Sequence, residues 1–392
     1  MPAAAGLRGA VAGVSRAVRM GRVRSAARRA GPGDRGASGK AASMTQLGYI
    51  QVARICNQRC LFCSNPDNQR LVTVDEFRAQ ARDLARTGHA GVLLTGGEPT
   101  LHPELPRLVA LAAAEGLAVR IITNGQEASR PGVLARLRRA GLRHLHVSLY
   151  SSRPAVQDRI ARNPGSRRRI ARTLREAARL RLTVDVNVVL SALNAPHLPE
   201  TVRWVVRSFP HVRHFVFNGL DPHTDRVAEH PEVVPKLSDL ELPLLETLAF
   251  LERSGRTFRV ERIPLCYLGD WPHVSTETRK IVKGEGRVIH FLDAKGRFAA
   301  TSFEHDKAAC CAVCTVNRIC AGLYSMDRYY ASSELYPLFV DPEPIRRRIL
   351  AGDSPVGGGR ASRLAPGRSA ARPRRPEGSG GRLVSGSSRP RS

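Results

Sequence analysis

Cys56-Asn57-Gln58-Arg59-Cys60-Leu61-Phe62-Cys63 places three thiols within eight residues, separated by three and then two positions. The stretch before it, Leu47-Gly-Tyr-Ile-Gln-Val-Ala53, is a short apolar run bounded by polar residues and reads as a buried strand. The cysteines therefore fall on a loop at a strand end, where backbone can wrap around an inorganic centre. Three thiolates can hold an iron–sulfur cubane and leave one iron open, as a catalytic centre needs. They can also contribute to a zinc site that draws its fourth ligand from elsewhere. This octapeptide alone leaves both readings standing.

A second stretch shifts the balance. Gly91-Val-Leu-Leu-Thr95 is another apolar strand, and it ends in Gly96-Gly97-Glu98-Pro99. Paired glycines let a ligand approach backbone that a side chain would shield. Glu98 offers a carboxylate for an ammonium group, and Pro99 fixes the turn into the next helix. Coming one β-α unit after the three-cysteine loop, this motif resembles the radical S-adenosylmethionine (SAM) superfamily. That resemblance implies a [4Fe-4S] cluster on Cys56, Cys60 and Cys63, its open iron chelating the methionine end of SAM. It also implies that Gly96, Gly97, Glu98 and Pro99 border the same SAM molecule.

From Leu47 to about Gly219, apolar strands alternate six times with amphipathic helices. Strands are expected at 47–53, 91–95, 118–123, 144–149, 183–190 and 212–217. Helices are expected at 73–87, 103–115, 131–140, 167–180 and 197–208, the first opened by the S/T-x-x-E capping box Thr73-Val-Asp-Glu76. A further helix is expected over 240–253. Alternation of this kind predicts an α/β fold, a parallel sheet with helices outside it. It does not separate an incomplete barrel from an open doubly wound sheet; the resemblance implies the former, a partial (β/α)6 barrel. Active sites of such barrels lie at the strand C-termini. Thr123, Asn124, Ser148 and Asn187 stand in or at the ends of strands there, and the resemblance implies that they contact the nucleoside of SAM. The bland alternative is an ordinary turn pair at Asn124-Gly125 and a Ser148 that faces a helix. His144 and His146 share one strand face; a partly exposed pair is favoured over a metal site.

Past Gly219 the pattern changes. Arg287–Leu292 and Arg297–Thr301 read as a hairpin turning at Lys295-Gly296, and cysteines recur at 266, 310, 311, 314 and 320. Cys311, Cys314 and Cys320 follow C-x2-C-x5-C, and Cys266 completes a set of four, enough for a closed [4Fe-4S] cluster or a tetrahedral zinc site. A hairpin followed by cysteines ending in C-x-G resembles the small auxiliary-cluster domains, of SPASM or twitch type, that follow radical SAM barrels. The cysteines are too few for two further clusters, so one is expected. Cys310 is the spare, although it could replace Cys311.

The expected domains are a barrel over 44–255 and an auxiliary-cluster domain over 256–350. Basic tails, 1–43 and 351–392, flank them. The 392-residue chain carries a formal net charge of +28, but the tails hold more than half of the excess, +8 and +7. Both tails are rich in Gly, Ser, Pro, Ala and Arg, a composition that predicts disorder. The first has the Arg-rich look of a transit peptide, and Met44 is an alternative start. With the charge so placed, nucleic acid is a weak candidate partner. No apolar run approaches a membrane span, and the eight cysteines are spaced for metal, not disulfides, which suits a reducing cytoplasm.

The resemblance implies reductive cleavage of SAM to a 5′-deoxyadenosyl radical, hydrogen abstraction from a substrate, and a flavodoxin, ferredoxin or reductase as electron donor. Maturation of a ribosomally made peptide is the leading expectation. A small-molecule enzyme of cofactor biosynthesis is the alternative. Outside enzymes, an iron–sulfur electron carrier or a zinc-stabilised nucleic-acid binder would fit the cysteines. A carrier, however, has no need of the Gly-Gly-Glu-Pro loop.

Overall fold

A computed structural model describes residues 47–65 and 68–352. The expected tail 1–43, the alternative start at Met44 and nearly all of 351–392 lie outside the described residues.

In chain order the elements are β1 (Leu47–Ala53), α1 (Val74–Arg86), β2 (Gly91–Gly96), α2 (Leu105–Ala114), β3 (Ala118–Thr123), α3 (Val133–Ala140) and β4 (His144–Ser148). Two helices, α4 (Pro154–Ala161) and α5 (Ser166–Arg179), lead to β5 (Thr183–Leu190). Then follow α6 (Leu198–Ser208), β6 (His214–Gly219), the short α7 (Asp225–Glu229), α8 (Leu237–Arg253) and β7 (Thr257–Glu261). The chain continues through α9 (Thr276–Lys283), β8 (Arg287–His290), β9 (Arg297–Ala300) and α10 (Pro342–Leu350).

Local chemistry explains the boundaries. Thr73 caps α1 by accepting from the Glu76 N–H, while the Glu76 carboxylate accepts from the Thr73 N–H at 2.8 Å, so the expected capping box forms. The helix turns Phe77, Ala81 and Leu84 inward, one face at helical spacing. Helix α4 was not anticipated; it begins with Pro154 at its first turn, where a missing N–H costs nothing.

The strands form one sheet in the order β7-β6-β5-β4-β3-β2-β1-β8-β9. Strands β1 to β7 are all parallel, and each new strand adds on the same side of the last. A doubly wound sheet reverses its order at a switch point. Here there is no reversal, and right-handed crossovers then put every helix on one face. The other face is left to curl on itself, giving the partial barrel. Side-chain alternation agrees: Val119, Ile121, Leu145, Val147, Val184, Val186, Phe215 and Phe217 are buried in the core. Their neighbours Arg120, His144, His146, Ser148, Asp185, Asn187 and His214 take the opposite, inner face.

The structure adds a seventh parallel strand to the six expected. Thr257-Phe-Arg-Val-Glu261 pairs with β6, from His214↔Thr257 to Asn218↔Glu261, so strand pairing runs on past residue 256. The expected hairpin is present as β8 and β9, with the Gly296 N–H bonded to the Asp293 carbonyl at 3.0 Å. It extends the same sheet, with β8 parallel to β1 through Tyr49↔Ile289 and Ile50↔His290. No helix among the described residues is long and apolar enough to cross a membrane.

Candidate iron–sulfur and SAM site

The three-cysteine loop leaves the end of β1 and is tied down from below. The Arg59 N–H bonds to the Ala161 carbonyl at 3.3 Å and the Leu61 N–H to the Ile160 carbonyl at 3.0 Å, fixing the loop to the end of α4. Gln58 donates to the Ser166 hydroxyl at 3.1 Å, where Gln126 and Gln157 also donate, at 3.1 and 3.3 Å. Ser166 is fully buried, so this junction holds the loop against the start of α5. The Cys60 thiol is buried, 3.5 Å from Gln58 Oε1 and 3.7 Å from the Tyr150 hydroxyl. The Asn65 N–H approaches Cys63 Sγ at 3.4 Å, and Asn124 Nδ2 approaches Cys56 Sγ at 3.7 Å.

Burial pushes the Cys60 thiol up to about 12, and the neighbouring thiol of Cys63 opposes its ionisation further, whereas Cys56 stands exposed on the same loop. A cationic centre bound there would favour the Cys60 thiolate. Three thiols on one short loop are the donor set of a [4Fe-4S] cluster with one iron open, and the residues present fit that group.

The Gly-Gly-Glu-Pro stretch lies directly against this loop. The Gly97 N–H bonds to the Ala53 carbonyl at 2.6 Å, and the Glu98 N–H bonds to the Ile55 carbonyl at 2.8 Å. A Cβ at Gly96 would stand 2.1 Å from the Ala53 carbonyl oxygen, and one at Gly97 would stand 2.3 Å from that of Ile55. The space that the glycines leave is filled by the cysteine loop's own backbone, which corrects the expectation that it is kept open for a ligand.

Glu98 is 1 % exposed and its carboxylate is fully engaged. Oε1 accepts from the Thr100 N–H at 3.0 Å, the Thr100 hydroxyl at 2.5 Å and the Thr123 hydroxyl at 2.7 Å; Oε2 accepts from the Asn124 N–H at 2.6 Å. Four donors meet the roughly four acceptor sites of a carboxylate. Burial pushes the Glu98 carboxyl up, against these hydrogen bonds, which favour the ionised form. The charge expected to hold an ammonium group is thus spent inside the protein. Pro99 follows as the first residue of a single 3-10 turn that Glu98 caps.

The expected nucleoside contacts divide into two pairs. The Thr123 hydroxyl donates to Glu98 and accepts from the Gly125 N–H at 3.0 Å. Asn124 donates to Asn57 Oδ1 at 2.8 Å and accepts from the Gln126 N–H at 3.0 Å, stitching the end of β3 to the cysteine loop. Ser148 and Asn187, paired across β4 and β5, face the barrel interior. Asn187 Oδ1 is buried without a hydrogen-bond partner, an orphaned acceptor of the kind a bound ligand satisfies.

Cys266, Cys311, Cys314 and Cys320 line one small, mostly apolar pocket with Leu265, Val316, Leu335 and Tyr336. The Leu338 N–H approaches Cys314 Sγ and the Gly322 N–H approaches Cys320 Sγ, both at 3.4 Å. Cys310 is not among the lining residues, and its thiol approaches the Leu335 carbonyl at 3.5 Å. Burial pushes the Cys266 thiol up to about 12, with Cys320 and Cys311 adding to the shift. Gly322 has φ 93°, and a Cβ there would sit 2.4 Å from the Asp306 carbonyl, which explains the glycine of the C-x-G ending.

The sequence reading missed Tyr150, Ser166 and Asp185. None lies in a motif, and each reaches its partners across a sheet register or a helix junction. The aromatic residue just past the end of β4 was the one available signal, for Tyr150.

The chain is a one-directional partial β/α barrel whose first strand delivers three spaced thiols. Residues 50–205 match the family model described as Radical SAM superfamily. Among curated proteins, the PqqA peptide cyclase of Xanthomonas axonopodis pv. citri is 37% identical over 160 residues, 39% of this chain and 42% of that protein. The PqqA peptide cyclase of Rhodopseudomonas palustris is 31% identical over 157 residues, 39% of this chain and 41% of that protein. The chain thus spans about two fifths of the length of these relatives. Among solved structures, Streptococcus suis SuiB bound to S-adenosylmethionine has a TM-score of 0.54 at 13% identity, covering 71% of this chain and 73% of that one. The structure titled native anSMEcpe with bound AdoMet and Cp18Cys peptide also has a TM-score of 0.54 at 13% identity, covering 78% and 95%. At these identities the likeness is one of fold.

Proposed function

We propose that this chain is a radical SAM enzyme that matures a ribosomally made peptide and holds a second [4Fe-4S] cluster on Cys266, Cys311, Cys314 and Cys320. The observation that carries the enzymatic reading is the join between the cysteine loop and the Gly-Gly-Glu-Pro stretch. Backbone bonds from Gly97 and Glu98 to residues 53 and 55 make one rigid unit of the Cys56, Cys60 and Cys63 loop and the ends of β2 and β3. When bound there, a cluster supplies the single electron that cleaves SAM to methionine and a 5′-deoxyadenosyl radical.

The chain's own residues bind, orient and keep water out. Gly96 to Pro99 and Asn124 border the methionine end of SAM, and Ser148 and Asn187 face its nucleoside. Phe62 and Tyr150 meet edge to face at 5.1 Å; with Leu61, Ile160, Leu220, Val227 and Val233 they form an apolar cluster around Cys60. That cluster keeps water from the Cys60 side of the site, while Cys56 lies on its open side. Peptide as the substrate class rests on the curated relatives, whose name states a peptide cyclase. A flavodoxin or ferredoxin serves as electron donor, and the reducing cytoplasm is the compartment.

The test is anaerobic incubation of cluster-loaded protein with SAM and dithionite, followed by chromatography. Wild-type protein should release 5′-deoxyadenosine, and Cys60→Ala should release none. Peptides encoded beside the gene are then added and examined for hydrogen loss by mass spectrometry. Equal release by Cys60→Ala would overturn the enzymatic reading. Modification of a small molecule, with the encoded peptides unchanged, would overturn the peptide assignment alone.

A further inference from the structure

Opposite the cysteine loop, toward the strand N-termini, lies a group with no part in the chemistry above. His144 and His146 project from the same face of β4, and Asp185 stands directly across from His146 on β5. The sequence favoured a partly exposed histidine pair. His144 is partly exposed as expected, but His146 is 9% exposed and Asp185 5%, and the imidazoles stack with centroids 4.6 Å apart and planes within 6°. One ligand atom from each of the three residues falls within 4.8 Å of the other two.

We propose that His144, His146 and Asp185 form a binding site for a divalent first-row metal ion of the zinc class, separate from both cysteine groups. The distances fit. Asp185 Oδ2 lies 2.9 Å from His144 Nε2 and 3.3 Å from His146 Nδ1. Donors about 2.1 Å from a shared ion stand ~3.0 Å apart at right angles and ~3.4 Å apart at the tetrahedral angle. His144 Nε2 is buried 2.9 Å from Asp185 Oδ2, a separation open to a hydrogen bond or to two ligands of one ion; the parallel imidazoles would have to tilt toward each other for both to ligate it. His146 Nε2 is buried without a partner. Two imidazoles and one carboxylate are a common donor set for zinc and ferrous iron.

An entry path exists. His144 and Asp185 line a pocket of about 460 Å³, with His214 across the sheet from Asp185. Arg120, Arg256 and Arg259 line the same pocket. Their charge opposes a bare cation and favours an anionic exchangeable ligand, a carboxylate or phosphate, at the ion's remaining positions.

The test uses the full chain with its clusters loaded, so that iron occupies the thiols. Zinc chloride is added anaerobically, the protein is desalted, and zinc and iron are measured together. One zinc per chain should remain, with iron unchanged. X-ray absorption at the zinc edge should show only nitrogen and oxygen neighbours at about 2.0–2.2 Å. Asp185→Asn and His146→Gln should each weaken zinc binding at least tenfold while the iron content stays constant. Sulfur at about 2.3 Å, no retained zinc, or equal binding by a variant that keeps its iron would each overturn the proposal. The absorption spectrum of the wild-type protein decides the matter even where a variant fails to fold. It does so independently of SAM cleavage.

Discussion

The Glu98 carboxylate accepts the backbone N–H of Asn124 at 2.6 Å, so the last turn of β2 grips the end of β3. Because Glu98 also donates its own N–H to the Ile55 carbonyl, the grip extends to the cysteine loop on β1. Three strand ends are thereby held in fixed positions by a single buried side chain.

Replacing Glu98 by Gln exchanges one acceptor oxygen for an NH2 group that would face protein donors. Leaving a buried donor unsatisfied costs about 1–3 kcal/mol. Glu98→Gln should therefore lower the urea midpoint of unfolding with the slope unchanged, and lower SAM affinity in step. A residue that only touched SAM would lose affinity at constant stability. That outcome would show that the four internal hydrogen bonds are not its main role.

Gly97→Ala tests the contact from the other side. Its Cβ would meet the Ile55 carbonyl oxygen at 2.3 Å, and neither backbone can yield without moving the loop. Overpacking of this kind costs about 1–3 kcal/mol. The variant should lose iron from the first site, about half of the total, and keep the C-terminal iron. Full iron retention with unchanged SAM cleavage would show the loop to be more compliant than its geometry implies.

Much of this was legible because it is local. The cysteine spacing, the strand before it, the Thr73 capping box and the β-α alternation all depend on neighbours within a few residues. What failed to show depends on partners far along the chain. Gly96 and Gly97 face backbone more than forty residues earlier, so a sequence reading took their open space for a ligand's. Thr123 looked like a nucleoside contact because nothing in its vicinity shows that its hydroxyl is spent on Glu98. β7 alternates over only five residues and precedes Cys266, so it read as a lead-in to that cysteine, when its pairing with β6 makes it a barrel strand. Asp185 becomes a partner of His146 only once the β4–β5 register is known.

Ser166 offers a further check on what positions the cysteine loop. Its hydroxyl oxygen, with two acceptor sites, is shared among three buried amides, those of Gln58, Gln126 and Gln157. Ser166→Ala strands those of Gln58 and Gln157, while Gln126 keeps its bond to the Asn124 carbonyl, at a cost of roughly 1–3 kcal/mol for each donor that finds no water. The expected result is a lower melting temperature and faster loss of the first cluster to a chelator, with the C-terminal iron unaffected. Unchanged chelation kinetics would place the anchoring of the loop in its bonds to Ile160 and Ala161.

The last prediction separates adjacent cysteines. Cys311 lines the C-terminal pocket together with Cys266, Cys314 and Cys320, whereas Cys310 is not a lining residue. Anaerobically reconstituted protein should bind about eight irons as two cubanes, and loss of Cys56, Cys60 and Cys63 together should leave about four. Cys310→Ser should still hold about eight, while Cys311→Ser should fall to about four, because a serine hydroxyl is a poor substitute for a thiolate at an iron. Both substitutions lie in the same short 3-10 segment, so a general disturbance of folding would affect them alike. The difference between them therefore reports ligation. Colorimetric iron determination and the visible absorption of the clusters measure it directly. Iron lost equally from both variants would remove the distinction between the two cysteines. Zinc in place of iron at that site, with iron intact at the first, would overturn the second cluster itself.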